Sequence, residues 1–368
     1  MEQMRNEIKI VLTGGHAATT ALAVVQEIRL RSLNWKIYFA GATSAIEGKK
    51  TKTFESEVLP KHDVIFLPLI TGRVQRKFTI WTIPSILKIP VGIFQAVYYL
   101  IKIRPSVVLS FGGFASVPIV IAAKMLGIPI IIHEQTAAAG RANLFAAKFA
   151  SIIALAREES IKYFPSSKTV ITGNPVLTEI TSIKSKVESN QKTIFITGGS
   201  RGSQSINTVL GIILPKLLIK YNVIHQTGEL DFKKFETVKK SLPKNIGAKY
   251  TVFARVDPWA IAKMFQQSDL VVARAGANTV SDILAANKPS ILIPLPISYL
   301  DEQTKNAKYA QKFGNSELIN QSELSPSVLI TKIETFFSNP KLQKTQKMAN
   351  PDLSAAEKIV DLLDSYIN

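Results

Sequence analysis

The sequence predicts an α/β chain folded as two Rossmann-like domains, each a parallel sheet covered by helices. Three observations carry this. Short β-branched runs alternate with helix-patterned segments from end to end, as in parallel sheets buried on both faces. Two strand candidates, one ending near residue 13 and one near 197, both run through a Gly-rich turn into a helix. The length, 368 residues, exceeds what one hydrophobic core usually serves.

The elements follow in order. Ile8–Leu12 is the first strand candidate; it leads through Thr13-Gly14-Gly15-His16 into a helical pattern over Ala18–Ser32. Strands are then expected at Trp35–Ala40, Val64–Leu67, Val107–Ser110, Ile128–His133 and Ile152–Ala154, with a helix over Ser85–Ile103. A second set lies at Thr193–Thr197, Asn222–Gln226, Tyr250–Phe253, Leu270–Ala273 and Ser290–Ile293, with helices over Thr279–Ala286 and Asp301–Phe313. The polar stretch 181–191 reads as a linker between domains at 1–180 and 192–345. Residues 346–368 end in an amphipathic helix over Ser354–Tyr366.

Composition narrows the chemistry. With no cysteine there is no disulfide framework, no cysteine-ligated zinc and no thiol nucleophile. The net charge of +18 is spread over both halves and suits nucleic acid, anionic lipid or phosphorylated substrates, or is simply a lysine-rich background. No nucleic-acid module or aromatic-basic strand signature is present, so nucleic acid is not expected as a partner. Residues 105–123 lack charge, but Gly112-Gly113 and Pro118 divide them into strand, turn and helix start. The expectation is a soluble protein, able to sit on a membrane surface.

Four Gly-rich strand-to-helix turns can bring backbone N–H groups close to phosphate: 13–16, 111–116, 197–203 and 274–279. Neither GxGxxG nor GxxxxGK[ST] occurs, which disfavours dinucleotide and P-loop readings. The four histidines are too dispersed for a local metal signature, and the DxD pattern is missing, so no metal site is expected. His16, after a Gly-Gly turn, is either a general base at a site mouth or a histidine bonded locally at a helix start. His133-Glu134-Gln135 ends another strand as a polar turn. The stretch 73–89 mixes cations with bulky apolar residues (Arg76, Lys77, Phe78, Trp81), as in an interfacial membrane patch or a core helix preceded by a basic loop.

These residues resemble the MurG family of N-acetylglucosaminyltransferases, within glycosyltransferase family 28. The resemblance runs from about residue 8 to 365 and rests on motifs in the family's order. They are TGGH at 13–16, GGFAS at 112–116, GIPIIIHEQ at 127–135, GNPV at 173–176, GGSRGSQSIN at 198–207, HQTG at 225–228, RAGANTVSD at 274–282 and DEQTKNA at 301–307. It implies a GT-B fold, two Rossmann-like domains facing a central cleft, with the C-terminal helix returning to the first domain. It also implies inverting, metal-independent transfer of GlcNAc from UDP-GlcNAc to the C4 hydroxyl of lipid I, giving lipid II at the cytoplasmic face of the membrane. UDP-GlcNAc is then a substrate, and no cofactor is needed.

By the same resemblance, Thr13, Gly14, Gly15, His16, Gly112, Gly113, Ser116, His133, Glu134 and Gln135 form the acceptor side. His16 is the candidate base and Glu134 the second choice. The donor side takes Gly199, Ser200, Arg201 and Gly202 toward the diphosphate, and Arg274, Gly276, Ala277 and Thr279 toward the uridine. Asp282 stands where the family has a glutamate for the ribose, Glu302 and Gln303 address the GlcNAc ring, and Asn306 supports their loop. The 73–89 patch faces an anionic membrane. Departures from the family pattern fall at Val11, Leu12, Phe114, Thr136, Leu177 and Arg201. The alternatives are a GT-B enzyme with another lipid acceptor, a UDP-GlcNAc 2-epimerase, or a non-catalytic nucleotide- or lipid-binding homologue.

Overall fold

The computed structural model describes residues 7–15, 17–44, 52–72, 82–183, 191–343 and 350–367, with side chains from residue 88 onward in the helix that begins at 82. The chain divides into two compact units: Met1–Pro175 together with Pro351–Asn368, and Val176–Asn350.

Among the described residues, seven parallel strands form the sheet of the first unit: β1 (Lys9–Thr13), β2 (Lys36–Gly41), β3 (Ile65–Pro68), β4 (Val107–Ser110), β5 (Ile130–Glu134), β6 (Ile152–Leu155) and β7 (Thr169–Ile171). Their order is β3-β2-β1-β4-β5-β6-β7. The central strands β1, β4 and β5 are buried almost throughout, because helices cover both faces and leave no side for polar residues. Helix Val117–Met125 packs against helix Thr82–Ile103, joining Ile119, Val120 and Ala123 to Ala96, Leu100 and Ile103 in one core.

The second unit repeats the plan with β8 (Thr193–Thr197), β9 (Asn222–Gln226), β10 (Tyr250–Phe253), β11 (Leu270–Ala273), β12 (Ser290–Leu292) and β13 (Ser316–Leu318), in the order β10-β9-β8-β11-β12-β13. Its core joins Ile194, Ile196, Val223 and Val272 to Leu210, Leu214 and Leu217 of helix Gln204–Lys220 and to Leu329 and Ile333 of helix Pro326–Ser338.

In both sheets the strand order turns back at one place, between β1 and β4 and between β8 and β11. At such a switch point the connections leave to opposite faces and open a crevice beyond the carboxyl ends of the strands. Register brings the two ends level in each case, Thr13 opposite Ser110 and Thr197 opposite Ala273.

The C-terminal segment is fastened to the first unit. Helix Ala355–Asp364 buries Ala355, Ile359, Val360 and Leu363 and packs on helix Ala18–Leu30. Arg31 adds an ion pair to Asp361 at 2.5 Å. Ahead of that helix, Asp352 takes two bonds from the Arg157 guanidinium, at 2.6 and 2.8 Å, and one from the Asn174 N–H at 2.8 Å. This pair is wholly buried. Gly173 (φ +87°) lies so close to the Pro351 carbonyl that no side chain fits there.

Candidate active site

The four Gly-rich turns sort into two pairs, one at each switch point. In the first unit the 13–16 turn leaves β1 and the 111–116 turn leaves β4. The Gly15 N–H donates to the Gly112 carbonyl at 3.0 Å, and the Phe111 N–H to the Thr13 carbonyl at 2.8 Å. Gly113 has φ +82°, and a Cβ on it would come within 2.9 Å of the Gly15 nitrogen, so only glycine lets the turns meet. Thr13 and Ser116 point inward, their hydroxyls donating to the carbonyls of Ala40 (2.8 Å) and Gly113 (2.9 Å). His16 lies outside the described residues.

The polar turn after β5 differs from its sequence-based reading. His133 is fully buried, bonded at 3.0 Å to the Gly173 carbonyl, and burial pushes its pKa down to about 4. It ties β5 to the 173–174 turn and presents nothing to a substrate. Glu134 is buried too. One carboxylate oxygen accepts from the N–H and hydroxyl of Thr136 (3.1 and 2.8 Å), the other from the Gly140 N–H (2.8 Å) and the Asn143 amide (3.0 Å). Four donors hold the carboxylate in place, so in this fold Glu134 organises the turn. Gln135 is half-buried, and no partner engages its amide among the described residues.

In the second unit the 198–203 turn leaves β8. Gly199 (φ +79°) and Gly202 (φ +74°) coil it through a Gly202 N–H to Gly199 carbonyl bond of 2.9 Å, and the Gly199 N–H is held by the Thr197 hydroxyl at 3.0 Å. Ser200 and Arg201 stand exposed at its tip. Helix Gln204–Lys220 begins immediately after it with no side-chain cap and no acidic residue in its first turn. Helix Ala277–Ala285 begins after β11 in the same state, behind Gly276. Two uncapped helix starts beside one crevice give a field suited to a diphosphate.

Arg274 does not reach toward that crevice. Its Nε donates to the Ser203 hydroxyl (2.9 Å), one terminal nitrogen to the carbonyls of Ile293 and Pro294 (3.0 and 3.2 Å), the other to the Ser205 hydroxyl and the Gln321 amide oxygen (both 2.6 Å). All five donors of the fork are spent bracing the turns. Its role is therefore positioning, with Ser203, Ser205 and Gln321 as partners that sequence reasoning missed. Their only signal was that a buried arginine must find acceptors.

The HQTG segment lies beneath the same turn. His225 bonds the Tyr250 hydroxyl (2.9 Å) and the Asn207 amide oxygen (3.0 Å), and Asn207 donates to the Thr227 carbonyl (2.8 Å) and to Asp231 (2.7 Å). Burial lowers the His225 pKa to about 3 and raises that of the Tyr250 hydroxyl. The imidazole is thus neutral, with Nε2–H donating to Asn207 and Nδ1 accepting from the tyrosine.

Glu302 and Gln303 open helix Glu302–Phe313 directly after Leu300 and Asp301, both left-handed at φ 54°. Two consecutive non-glycine residues in that region put backbone strain into the loop. Gln303 is held by the Leu295 N–H at 2.9 Å, and Asn306 is buried, donating to the Ala275 carbonyl at 3.2 Å. Thr279 and Asp282 lie half-buried along the first turns of helix Ala277–Ala285. Arg76, Lys77, Phe78 and Trp81 lie outside the described residues. Further along, helix Thr82–Ile103 exposes Val91, Phe94, Tyr98 and Ile101, a stripe at helical spacing. No described helix is long and apolar enough to cross a membrane.

Two doubly wound sheets, each with paired Gly-rich turns at its switch point, define the GT-B scaffold. The comparisons carry the class to a family. Residues 13–155 match the glycosyltransferase family 28 N-terminal domain and 193–363 its C-terminal domain. The chain is 31% identical over 372 residues to the UDP-N-acetylglucosamine–N-acetylmuramyl-(pentapeptide) pyrophosphoryl-undecaprenol N-acetylglucosamine transferase of Clostridium botulinum, covering 97% of this chain and 99% of that one. A Bacillus cereus enzyme of the same name is 29% identical, with 96% and 97% covered. The crystal structure of Acinetobacter baumannii MurG superposes with a TM-score of 0.69 at 26% identity, covering 97% and 99%. A UDP-GlcNAc 2-epimerase from Neisseria meningitidis, at 15% identity and a TM-score of 0.69, shares the fold. The chain belongs to glycosyltransferase family 28, in its MurG group.

Proposed function

We propose that the protein transfers GlcNAc from UDP-GlcNAc to the muramoyl C4 hydroxyl of lipid I, giving lipid II with inversion at the anomeric carbon. The observation that carries this reading is the pairing of Gly-rich turns at both switch points in a chain of the MurG group. The second unit takes the donor. Its diphosphate meets the 199–202 turn and the two helix starts, with Ser200 and Arg201 at the tip, while Arg274 holds the turns in place. Gly276, Ala277, Thr279 and Asp282 line the nucleoside side, and Glu302 and Gln303 address the sugar from the strained loop. As the anomeric bond to the phosphate oxygen breaks, negative charge grows on UDP; the fixed N–H groups of the helix starts stabilise it without reorganising.

The first unit takes the acceptor along Gly14, Gly15, Gly112 and Gly113, with Gln135 contributing its half-buried amide. His16 is the base that removes the hydroxyl proton. The basic-apolar stretch at 73–89, together with the exposed Val91, Phe94, Tyr98 and Ile101, holds this unit on an anionic membrane surface.

The test is UDP release with a soluble lipid I analogue and with the same analogue lacking its 4-hydroxyl. Release with the first and none with the second is expected. Equal release with both would show hydrolysis or a different acceptor position.

A further inference from the structure

Helix Ala18–Leu30 starts without a local cap: Ala17 precedes it and its first turn holds no acidic residue. The missing oxygen comes from 38 residues away, where the Glu55 carboxylate accepts the Ala17 N–H at 3.0 Å. Glu55 is 5% exposed, a burial rare for a carboxylate, and among the described residues it has no cationic partner. Its short helix is itself anchored, Thr53 capping it through the Ser56 N–H (3.3 Å) and donating to the Ala42 carbonyl at 2.7 Å. Only Oε1 is used, and Oε2 has no partner among the described residues. The carboxylate lines a recess with Gly14, Gly15, Gly41, Phe114 and Ala115, at the carboxyl ends of β1 and β2 beside the first switch point.

The chemistry of this recess is specific. A fixed carboxylate repels a phosphate and accepts hydrogen bonds from hydroxyl or amide N–H groups. Gly15 leaves room on its own side, since a Cβ there would find its nearest neighbours at 3.8 Å and beyond, whereas Gly14 and Gly41 lie against Ala17 and Phe39. Phe114 supplies an apolar wall. A carboxylate, an aromatic ring and a bare backbone together suit a sugar, apolar on its C–H face and rich in donors at its rim.

We infer that Glu55 binds the acceptor's sugar, its Oε2 accepting from a hydroxyl or from the acetamido N–H of the muramoyl ring. The first Gly-rich turn therefore faces the sugar and not the lipid pyrophosphate. This rests on the acceptor assignment above.

Glu55→Gln separates the two functions of the side chain. The amide oxygen still caps Ala17, while the amide nitrogen replaces the acceptor in the recess. KM for the lipid I analogue should rise about tenfold, with KM for UDP-GlcNAc within twofold and Tm little changed. Acceptor analogues with single donors deleted supply the second readout, on the wild-type protein. One deletion should cost the wild type about tenfold, and that same deletion should cost Glu55→Gln nothing. Equal penalties in both proteins, or donor and acceptor KM rising together, would overturn the inference. Wild-type protein inactive with the lipid I analogue would overturn the acceptor assignment, and this inference with it.

Discussion

The two buried histidines illustrate how burial decides what a side chain can do. His133 and His225 are enclosed and held neutral, each bonded to its own unit, so neither exchanges protons with a substrate. His16, which follows Gly15 in the sequence, is the residue proposed for proton removal. His16→Ala should lower kcat by about 10²–10⁴-fold with KM for UDP-GlcNAc little affected. Steady-state kinetics check this, and turnover within a few-fold of wild type would remove the assignment. Arg274 makes a different case: its value lies in the planar fork, which lysine cannot reproduce. Arg274→Lys should raise KM for UDP-GlcNAc and destabilise the second unit by about 2 kcal/mol, as several buried acceptors lose their donor. Urea denaturation and donor titration would together show both effects.

At the scale of elements, the central strands and the helices behind each Gly-rich turn were legible because their apolar runs are continuous and their turns carry glycine. β7 and β13 were not foreseen. Each has three residues, both are sheet edges, and neither contains a buried position, so no apolar run announced them. The glycine motifs marked the turns that the fold places at the two switch points. Side chains were less legible: Glu134, His133 and Arg274 look like chemistry in the sequence, and in the fold each is buried and bonded within its own unit. Glu55 went unread for the opposite reason, since only the folded chain brings it to a helix start far away in sequence. The C-terminal segment supplies the element-scale prediction. Asp352→Ala strands the Arg157 guanidinium in a dry environment, which typically costs about 3–5 kcal/mol. Thermal unfolding of the first unit should move down accordingly, and an unchanged transition would mean the pair contributes little. The exposed stripe on helix Thr82–Ile103 predicts that replacing Phe94 and Tyr98 together with serine weakens co-sedimentation with anionic vesicles while leaving the fold intact. Unaltered binding would exclude the stripe from the membrane contact.

For the whole molecule, the two neutral histidines give both units the same dependence on acidity. Each has a folded pKa, about 4 for His133 and about 3 for His225, below the unfolded value near 6.5. Their contribution is complete above pH 6.5 and is lost as pH falls toward the folded values, because the unfolded chain takes up the protons first. Urea midpoints should therefore drop for both units between pH 7 and pH 5, and midpoints that stay level would contradict the neutral assignment. The larger pattern is a doubled Rossmann plan in which each unit has one switch-point crevice, and the proposed function assigns the donor to the second unit and the acceptor to the first. The most direct measurement is transfer of labelled GlcNAc from UDP-GlcNAc to a soluble lipid I analogue with EDTA present. Labelled disaccharide product is expected, formed at the same rate with and without the chelator. Saturable UDP-GlcNAc binding without product would contradict the acceptor, and a rate abolished by EDTA would contradict a reaction driven by the protein's own dipoles.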